Sequence, residues 1–376
     1  MDRVVSDDRF WRGKRVLVTG HTGFKGGWLS LWLARRGADV VGYALDPPTQ
    51  PSLFEATAAQ EVVRSTIADI CDKDRLVRTV RDHRPQIVFH LAAQPLVSES
   101  HADPVETYRV NVLGTAYLLD ALRRCDECRV IVNITSDKCY LNQEWPWPYR
   151  ETDTLGGRDP YSSSKACSEI LTAAFRHSFF RDPSSAIVAS ARAGNAIGGG
   201  DWAKDRLIPD LYRARAAGRP LGLRRPQAVR PWQHVLEPLR GYMVLAEAMW
   251  NGGAAFAEGW NFGPKDEDFR EVRWIAGWFA TAYGDPALWQ PVQAPPFGEA
   301  SQLKLDYAKA ATRLGWQPHW PLEVALQSIV AWQRAYEGGA DMRAVTESQI
   351  AEYERTLTPS TARPDITHGQ AVAAPH

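Results

Sequence analysis

Long apolar runs, a disulfide pattern and a net charge are all missing from this sequence. No apolar run approaches the roughly 20 residues that a membrane-spanning helix requires, so a membrane span is not expected. Lysine plus arginine and aspartate plus glutamate both total 44, which gives the chain no bulk attraction to nucleic acid or to an anionic membrane. The N-terminal segment is charged and contains no apolar core, so we expect no signal peptide.

Cysteine is also sparse. The five cysteines are scattered and odd in number, which indicates reduced thiols and a cytoplasmic location rather than disulfides. The close pair Cys125 and Cys128 has no second pair and no histidine beside it, so it predicts no metal site. At 376 residues the chain is long enough to bury one large core or two modest ones. The sequence therefore predicts a soluble cytoplasmic protein without a bound metal.

Strand and helix patterns alternate through the first half of the chain. Apolar segments that predict strands are Arg15–Thr19, Ala38–Leu45, Val62–Ile67, Gln86–Ala92, Val130–Ile134 and Ala186–Ala191. Segments that predict helices are Gly23–Arg36, Lys73–His83, Pro104–Arg124 and Tyr161–Phe179. Strands that alternate with crossover helices predict an α/β fold of the Rossmann type, with a doubly wound parallel sheet.

The composition changes after about Asn195, where glycine, proline, arginine and tryptophan become frequent and the periodic segments become shorter. We expect residues 1–194 to form mainly the Rossmann domain with the catalytic residues. We expect residues 195–356 to form mainly a smaller, partly interleaved C-terminal domain that binds the substrate. The segment 357–376 has no apolar periodicity and predicts a mobile tail.

A glycine turn lies between the first predicted strand and the first predicted helix. In "TGHTGFKG", Gly20, Gly23 and Gly26 form the pattern G-x-x-G-x-x-G. Glycine at these positions permits a tight turn and a close approach of the backbone to a pyrophosphate, and the helix N-terminus supplies N–H donors to the anion. Because the pattern stands between a strand and a helix, it indicates a dinucleotide site rather than a flexible turn.

Asp46 ends the second strand, 20 residues beyond Gly26 (46 − 26 = 20). A carboxylate here can accept hydrogen bonds from ribose hydroxyls and would repel a 2′-phosphate, which favours NAD over NADP. Arg35 and Arg36 are the opposing observation, since nearby arginines could accommodate that phosphate, although both also fit a solvated helix C-terminus. The alternative for Asp46 is an ordinary turn residue before the two prolines that follow it.

The glycine spacing resembles that of the extended short-chain dehydrogenase/reductase superfamily. Further matches follow in order through about the first half of the chain: Asp69-Ile70, "HLAAQ" (His90–Gln94), Asn111, and Tyr161 to Lys165 as Tyr-x-x-x-Lys. The resemblance implies NAD as the cofactor. The residues that it places against NAD are Gly20, Thr22, Gly23, Phe24, Lys25, Gly26, Asp46, Asp69, Ile70, Leu91, Ala92, Ala93, Asn111, Thr135, Tyr161 and Lys165.

Tyr161 and Lys165 are four residues apart and therefore share one face of a helix. A phenol with a pKa of about 10 is a poor base at neutral pH unless a nearby cation stabilises the phenolate. Lys165 can supply that charge, and the resemblance implies that it also holds the nicotinamide ribose. Two surface residues at this spacing would be common by themselves, but the preceding Rossmann pattern favours catalysis.

A hydroxyl, a carboxylate and an amine follow the predicted strand Val130–Ile134, as Ser136, Asp137 and Lys138. Open α/β sheets place their chemistry at the carboxyl ends of parallel strands. Within the superfamily, this segment resembles the sugar-nucleotide 4,6-dehydratases, which have an acid and a base, usually Asp then Glu, beside the catalytic hydroxyl. The resemblance implies that hydride passes from C4 of a hexose to NAD and later to C6, while C5 loses a proton and the 6-hydroxyl leaves. Asp137 would be the acid, which requires a raised pKa.

Lys138 stands where that family usually has a glutamate, and its role is open. A lysine base requires a pKa depressed by burial or by another cation, which Lys165 could provide. Alternatively, Lys138 orients water or stabilises the enolate while Asp137 acts with a relay. In a third interpretation, Asp137 and Lys138 form only a structural ion pair at a strand end.

Longer strings across Gly13–Pro321, such as "GHTGFKGGWLSLWL", "ITSDKCY" and "GGGDWAKDRLIPD", resemble the branch of the family that acts on a cytidine-diphosphate hexose. Those enzymes supply deoxyhexoses for bacterial surface polysaccharide, and cytosine is implied by the resemblance alone. The residues expected at the substrate are Gln94, Asn195, Arg206, Arg230 and His234. Arginine forks suit a diphosphate, and Trp232 offers a face for stacking, with polar contacts from Gln233 or His234.

Other residues and functions have alternative interpretations. Trp145 and Trp147 could wall the sugar pocket or pack within their own loop. Arg224 and Arg225 could bind the ligand or face solvent. Two rival functions are a sugar-nucleotide 4-epimerase, which needs no acid for a leaving hydroxyl, and a non-catalytic NAD(H)-sensing protein on the same fold. The superfamily resemblance also implies a homo-oligomer, a dimer or tetramer, built on paired helices, and no membrane or nucleic-acid partner is expected.

Overall fold

The computed structural model describes residues 9–293 and 302–357 of the chain. The strands in this part are β1 (Arg15–Thr19), β2 (Asp39–Ala44), β3 (Arg64–Ile67), β4 (Ile87–His90), β5 (Val130–Ile134), β6 (Ile187–Ala193), β7 (Ala196–Ile197), β8 (Leu221–Leu223), β9 (Val229–Pro231), β10 (Gln233–His234), β11 (Gly259–Phe262), β12 (Phe269–Glu271) and β13 (Trp289–Pro291). The helices are α1 (Phe24–Arg35), α2 (Leu53–Ala56), α3 (Lys73–His83), α4 (Val97–Ala102), α5 (Pro104–Tyr108), α6 (Gly114–Leu122), α7 (Pro160–Phe179), α8 (Leu207–Ala216), α9 (Leu236–Gly252), α10 (Val272–Tyr283), α11 (Ala308–Leu314), α12 (Leu322–Glu337) and α13 (Met342–Leu357). The predicted tail beyond Leu357 lies outside the described residues. No helix within these two ranges is long and apolar enough to cross a membrane.

Seven of the strands form one parallel sheet, in the order β11-β6-β5-β4-β1-β2-β3. The strand order reverses beside β1, which confirms the predicted doubly wound, Rossmann-type sheet. Every residue of β5 is buried, as its continuous apolar run predicts. Thr19 of β1 pairs with His90 of β4, and His90 pairs with Asn133 of β5. The carboxyl ends of these strands are therefore level, and the segments that follow them meet at one edge of the sheet.

The first helix, α1, holds the glycine turn against the sheet. Trp28, Leu29, Trp32 and Leu33 recur at helical spacing and are all buried in the main core. The N-cap residue, Gly23, supplies no side-chain cap, and the first turn of α1 contains no acidic residue. The first N–H groups of α1 therefore have no side-chain acceptor of their own and are open to an anion at the sheet edge.

The predicted helix Pro104–Arg124 is divided into α5 and α6 by a π-helical turn over Arg109–Leu113. Asn111 in this turn is buried, and its side-chain amide donates to the Gln94 carbonyl oxygen (3.1 Å) and to Ser164 Oγ (2.9 Å). The turn therefore directs a polar side chain between α7 and the loop after β4. The periodicity missed this turn because the chain stays helical through it and the segments on either side keep helical spacing.

The smaller region contains three two-stranded ladders, β7 with β10, β8 with β13 and β9 with β12. Together with α8, α10 and α12 they surround a separate apolar core. Nevertheless β11, far beyond residue 195, belongs to the main sheet. In addition, α13 packs on α1, where Glu354 accepts hydrogen bonds from Trp32 Nε1 and Arg36 Nε, each at 2.7 Å. The two regions are therefore interleaved along the chain, and the domain boundary near residue 195 stays a prediction.

Candidate active site

A cleft of about 1060 Å³ opens at the carboxyl edge of the sheet, between the glycine turn and the smaller region. The sequence-predicted residues that line it are Gly20, Thr22, Gly23, Phe24, Lys25, Gly26, Asp46, Asp69, Ile70, Leu91, Ala92, Ala93, Thr135, Ser136, Asp137, Lys138, Tyr161, Lys165, Asn195, Arg206 and Arg230. Gln94, Asn111 and His234 do not line it. The structure therefore brings most of the predicted cofactor, catalytic and substrate residues to one place.

The glycine turn has no room for larger residues. Gly20 has a φ of +77°, and a Cβ there would lie 2.8 Å from the Ala92 nitrogen. A Cβ on Gly26 would lie 2.1 Å from the Gly20 carbonyl oxygen. Thr22 Oγ1 donates to the Leu45 carbonyl oxygen (2.9 Å) and holds the turn against the end of β2. Because the turn leaves backbone N–H groups at the start of α1 as its donors, it fits the pyrophosphate of a dinucleotide.

The end of β2 favours a ribose without a 2′-phosphate. Asp46 lines the cleft there. Arg35 and Arg36 do not line it and instead pair with Glu354 of α13, with Nε–Oε distances of 3.9 Å and 2.7 Å. These arginines therefore have a structural role at the C-terminus of α1. They do not favour a 2′-phosphate, and so they no longer argue for NADP over NAD.

Asp69 and Ile70 form the wall that follows β3. The Asp69 carboxylate accepts hydrogen bonds from Cys71 N (2.9 Å) and from Arg109 Nη2 (2.7 Å). Burial acts to raise the pKa of Asp69, but these two donors outweigh it, so the pKa is lowered. The carboxylate is therefore ionised and held in one orientation at neutral pH.

Ser136, Asp137 and Lys138 follow β5 and enter a short 3₁₀ turn over Asp137–Cys139. Ser136 caps the turn, because its Oγ accepts a hydrogen bond from Lys138 N (3.2 Å), and the same hydroxyl donates to Asp137 Oδ1 (3.0 Å). Lys138 Nζ lies 6.0 Å from the centre of the Tyr161 ring. The predicted hydroxyl, acid, amine and phenol are therefore neighbours in the structure.

Asp137 is a buried carboxyl group in the wall of the cleft, with 3% of its surface exposed. Its Oδ2 is buried and has no hydrogen-bond partner among the described residues. Burial raises the pKa of Asp137, while the charges of Lys138, Lys25 and Arg230 act in the opposite direction. A carboxyl group with a raised pKa retains a proton that it can donate, as a general acid requires.

The helix α7 presents Tyr161 and Lys165 at the cleft. Pro160 is its first residue, and Asp159 caps it, because Asp159 Oδ1 accepts a hydrogen bond from Ser162 N (2.9 Å). Tyr161 and Lys165 are both buried, with 8% and 6% exposed. A capped helix therefore holds both side chains in fixed positions.

Burial shifts the pKa of both groups on α7. It raises the pKa of Tyr161 to about 12, with the Ser136 hydroxyl and the Arg206 guanidinium acting against it. It lowers the pKa of Lys165 to about 8, and the Lys25 charge acts in the same direction. The phenol is therefore protonated at neutral pH, and a further positive charge is needed before it can act as a base. The Arg206 guanidinium acts to lower the pKa of Tyr161, and the stabilisation of the phenolate by Lys165 stays a prediction.

A buried ion pair behind the cleft was not predicted from the sequence. Glu169, four residues after Lys165, accepts hydrogen bonds from Arg192 Nη2 (2.8 Å), Ser190 Oγ (2.6 Å) and Thr135 Oγ1 (2.5 Å). Burial acts to raise the pKa of Glu169, but the Arg192 charge and these donors outweigh it and lower the pKa. The pair therefore fixes Thr135 beside the catalytic segment. The four-residue continuation of the Tyr-x-x-x-Lys spacing was the available sequence signal.

Asp201 is a second acidic residue that the sequence analysis missed. It lines the cleft and accepts a hydrogen bond from Arg206 Nη1 at 2.8 Å. The ion pair holds the Arg206 guanidinium at the cleft, which Arg230, Arg224 and Arg225 also line. Its place in "GGGDW", just before the predicted arginine, was the only sequence signal for it.

Gln94 and Asn111 hold the loop after β4 and do not face the cleft. Gln94 Nε2 donates to the Leu96 carbonyl oxygen (3.0 Å) and to Thr107 Oγ1 (2.9 Å), and Gln94 Oε1 accepts from Leu96 N (2.6 Å). Asn111 Oδ1 accepts a hydrogen bond from Gln94 N (2.9 Å). Because these polar atoms are used within the protein, the predicted ligand contacts of both residues are corrected to a supporting role.

His234 is also away from the cleft. Its fully buried ring packs between Trp28 and Trp320, with ring centres 5.9 Å and 5.0 Å apart. Burial lowers the pKa of His234 to about 3, so the ring is neutral. The predicted substrate contact is corrected for this residue, because β10 directs its side chain into the aromatic core.

The tryptophans near the predicted site fall into two groups. Trp232 lines the cleft, and its Nε1 donates to the Arg270 carbonyl oxygen (2.9 Å). Trp145 and Trp147 do not line the cleft. Their rings lie 5.5 Å apart, and Trp145 stacks on Tyr149 at 5.6 Å, which favours packing within their own loop. No group of histidine, cysteine, aspartate and glutamate side chains in the described ranges is arranged to hold a metal ion.

The comparisons with known proteins decide the family. The model of the GDP-mannose 4,6 dehydratase family matches residues 17–329. The chain belongs to this family. The CDP-glucose 4,6-dehydratase of Salmonella typhimurium is 50% identical over 94% of this chain and 99% of its own length. The UDP-glucose 4-epimerase of Mycolicibacterium smegmatis is 26% identical over 85% of this chain and 98% of its own length.

The family's fold is also seen in solved structures. The dTDP-glucose 4,6-dehydratase DesIV of Streptomyces venezuelae, crystallised with NAD, has a TM-score of 0.73 at 24% identity. The match covers 87% of this chain and 99% of that one, and at this identity it shows the fold alone. The predicted resemblance to sugar-nucleotide 4,6-dehydratases is therefore confirmed by the family match and by the relative that is 50% identical.

Proposed function

We propose that this chain is a hydro-lyase that uses bound NAD to convert CDP-D-glucose into CDP-4-keto-6-deoxy-D-glucose. The observation that carries the proposal is the buried Asp137, with a raised pKa and an unpartnered Oδ2, beside Tyr161 at the carboxyl edge of a Rossmann sheet. An epimerase of this fold needs no such acid. The relative that is 50% identical supports the cytidine nucleotide.

The glycine turn and Asp46 would hold NAD through its pyrophosphate and its ribose hydroxyls, and Lys165 would hold the nicotinamide ribose. The chemistry that NAD supplies when bound is the reversible acceptance of hydride, which leaves C4 of the hexose and returns to C6. The backbone of the turn, the ionised Asp69 and the fixed Thr135 would orient the cofactor, and the cleft would exclude bulk water from it.

Tyr161 would act as the phenolate, which the Lys165 and Arg206 charges and the positive nicotinamide ring of bound NAD would stabilise. In that form it would accept the proton of the 4-hydroxyl as C4 is oxidised, and the Ser136 hydroxyl beside it would orient the substrate oxygen. The resulting 4-ketone acidifies the C5 hydrogen. Lys138 would take the C5 proton as a neutral amine and become the ammonium, and the electrons of the C5–H bond would form the C5–C6 double bond as the C6–O bond breaks. Asp137 gives its proton to the departing hydroxyl, which leaves as water. As hydride returns to C6, C5 takes a proton back from the base, which has exchanged with solvent. The alternative, in which Lys138 stabilises the enolate and Asp137 works through a relay, differs only in the group that receives the C5 proton.

The arginines that line the cleft would bind the nucleotide diphosphate. Arg206 is held in position by Asp201, and Arg230 is a buried guanidinium on β9. Bidentate guanidinium contacts are strong for phosphate oxygens, and Asn195 adds a polar contact in the same wall. Trp232 is available to stack on the base.

The test is to incubate purified protein with NAD and CDP-glucose in deuterated water and to determine the product by mass spectrometry and NMR. We expect loss of the mass of one water and one deuterium at C5, with less turnover of UDP-, dTDP- and GDP-glucose. An unchanged mass with inverted configuration at C4 would identify an epimerase instead. Binding of NAD with no turnover of any of these sugar nucleotides would support the NAD(H)-sensing alternative.

We also propose that the chain forms a homo-oligomer, a dimer or tetramer, through its paired helices. Apolar side chains are exposed on α5, α7 and the turn between α5 and α6, among them Val105 (76%), Leu113 (48%), Ile170 (58%) and Phe179 (49%). Light scattering should give a multiple of the 42.0 kDa chain mass, and the double variant Val105→Glu, Ile170→Glu should give the single chain. A monomeric parent protein would contradict this proposal.

The location and wider role are also proposals. A reduced cytoplasmic setting fits the five cysteines, all of which are free thiols within the described residues. The product would be a precursor of CDP-linked deoxyhexoses of bacterial surface polysaccharide, as the resemblance described above implies. Loss of the corresponding deoxyhexose from a deletion strain, restored by the parent chain and not by Tyr161→Phe, would test this role.

A further inference from the structure

Lys25 occupies an unfavourable position for a cation. It is the second residue of α1, in the first turn of the helix, where the aligned peptide dipoles place a partial positive charge. No acidic residue in that turn offsets the charge. The backbone cannot move away, because the contact of Gly26 with Gly20 fixes the turn. Local helix energetics therefore argue against a lysine here and leave its presence to be explained by the cleft.

The Lys25 ammonium faces charged groups of the catalytic region. Lys25 lines the same cleft as Asp137, Asp201 and Arg206. Burial and the Arg206 charge lower the pKa of Lys25 to about 8, while Asp137 and Asp201 act to raise it. Among the described residues Lys25 has no hydrogen bond or ion pair. Its effect on the cleft is therefore exerted as a charge through space and not as one half of a structural pair.

Asp137 is the group whose chemistry that charge affects. Ser136 satisfies Oδ1, whereas Oδ2 is buried without a partner among the described residues. The charged and titratable groups that act on Asp137 or respond to it come from several elements: Lys25 of α1, Lys138 and Cys139 of its own turn, Tyr161 of α7, Arg230 of β9 and Tyr242 of α9. An acid in this position must be neutral before the reaction and ionised after it, so the cations around it determine how readily it gives up its proton.

We propose that Lys25 is a positioning residue for the loss of water: its ammonium stabilises the carboxylate that Asp137 becomes when its proton passes to the departing 6-hydroxyl. The proposal rests on the function proposed above and adds a role for this residue. In the step itself the C6–O bond breaks with its electron pair on oxygen, the Asp137 proton completes the water molecule, and the electrons of the C5–H bond form the C5–C6 double bond. The proton from C5 goes to the base. Lys25 transfers nothing.

The sequence resemblance assigns Lys25 to the cofactor, so the test must separate the two roles. Lys25→Met removes the charge at similar length, Lys25→Arg retains it, and Lys73→Met is the control, since Lys73 is half-exposed on α3 and pairs with Asp120 (3.7 Å). The measurements are NAD affinity by quenching of tryptophan fluorescence, the pH profile of kcat with CDP-glucose, and the near-ultraviolet absorbance of reduced nicotinamide in a single turnover.

For Lys25→Met we expect unchanged NAD affinity and a kcat that falls roughly tenfold to a hundredfold, less than the roughly 10²–10⁴ expected for loss of the acid itself. Reduced nicotinamide should accumulate, because oxidation at C4 continues while the loss of water slows. Removing the cation raises the pKa of Asp137, so the limb of the profile that Asp137 controls should move to higher pH. Lys25→Arg should restore both the rate and the profile, and Lys73→Met should match the parent.

Weaker NAD binding with no accumulation of reduced nicotinamide would overturn the proposal and leave Lys25 as a cofactor ligand. An unchanged rate and profile would overturn it as well. If the parent protein does not turn over CDP-glucose, the function proposed above fails, and a separate measurement decides the role of Lys25. In carboxyl-labelled protein, NMR titration should give Asp137 a higher pKa in Lys25→Met than in the parent, and equal pKa values would reject the proposal.

Discussion

Asp137 shows how burial and charge act against each other at one residue. Desolvation raises the pKa of Asp137, and the charges of Lys138, Lys25 and Arg230 act to lower it. We expect Asp137→Asn to lower kcat by about 10²–10⁴, the usual contribution of a positioned proton donor, without loss of NAD affinity. Rapid-mixing absorbance of reduced nicotinamide measures the first half-reaction separately from product formation. The exposed Asp182→Asn serves as the control, and an Asp137→Asn protein with parental kcat would contradict the role of the acid.

Lys138 tests the departure from the usual family pattern. If the amine takes the C5 proton, Lys138→Ala should bind NAD normally and oxidise C4, yet fail to exchange the C5 hydrogen with solvent. The measurement is deuterium incorporation at C5, read by NMR of the sugar nucleotide. Full turnover by this variant would refute a role as base. Slow turnover with normal exchange would favour the alternative in which Lys138 stabilises the enolate.

Single residues were predictable where their signal is local. Tyr161 and Lys165 are separated by one helical turn, and Asp137 stands three residues after the end of β5. Their spacing placed them near the sheet edge, and the family resemblance supplied their roles. His234 was misplaced because a polar residue type does not reveal the direction of its side chain. Arg192 was missed because its partner, Glu169, lies on another element and the pairing leaves no trace in either local pattern.

At the scale of elements, the pairing of α7 with β6 should control stability. Glu169 and Arg192 are buried with side-chain exposures of 3% and 6%, and removing one partner leaves the other charge without compensation. We expect Arg192→Met to lower the free energy of unfolding by about 3–5 kcal/mol. Urea denaturation measures this, and the double variant Arg192→Met, Glu169→Met should recover much of the loss. Equal stability of the parent and the single variant would contradict the account.

The contact between α9 and α13 should make stability depend on pH. Glu237 is buried and accepts hydrogen bonds from Tyr353 Oη (2.7 Å), His319 N (2.9 Å) and Trp320 N (2.7 Å), and burial raises its pKa from 4.5 to about 7. Because the pKa of Glu237 is higher in the folded state than in the unfolded state, the folded state favours the protonated carboxyl group. The resulting contribution to the free energy of unfolding is fully present below about pH 4.5 and is lost as the pH rises through about 7.

The matched variant is Glu237→Gln, which cannot ionise. Relative to it, the parent should lose up to about 3 kcal/mol of unfolding free energy between pH 5 and pH 8. Chemical denaturation of both proteins at several pH values measures the difference and cancels the other titrating groups. A constant difference across this range would show that the pKa of Glu237 is not raised.

The elements themselves were predictable to different extents. β1, α3 and β5 have the predicted bounds, because continuous apolar runs and a charged amphipathic helix are strong local patterns. The assignment of β11 to the main sheet depends on pairing with β6, about 70 residues earlier, and no local pattern encodes that distance. The packing of α13 on α1 is likewise a tertiary contact. A polar residue such as Glu354 does not indicate in the sequence that its partners are Trp32 and Arg36.

At the scale of the whole molecule, the cleft is bridged by contacts between its two sides. Ser98 Oγ of α4 donates to Asp205 Oδ2 (2.6 Å), and Lys204 forms an ion pair with Glu99. Ser98 and Asp205 both line the cleft, and residues 204–205 lie just before α8, so these exposed contacts join α4 to the segment before α8. Asp137 and Tyr161 are buried in the wall of this cleft, and their burial is the main cause of their raised pKa values.

The account as a whole requires one hydrogen to move within a single sugar. The direct measurement is to supply CDP-glucose carrying deuterium at C4, with NAD and the purified protein, and to locate the label in the product by NMR. We predict that the deuterium appears at C6 of a 4-keto-6-deoxy sugar with one water lost. Deuterium that is found again at C4 of the sugar would contradict the proposed dehydration. A product that retains its 6-hydroxyl would contradict it as well.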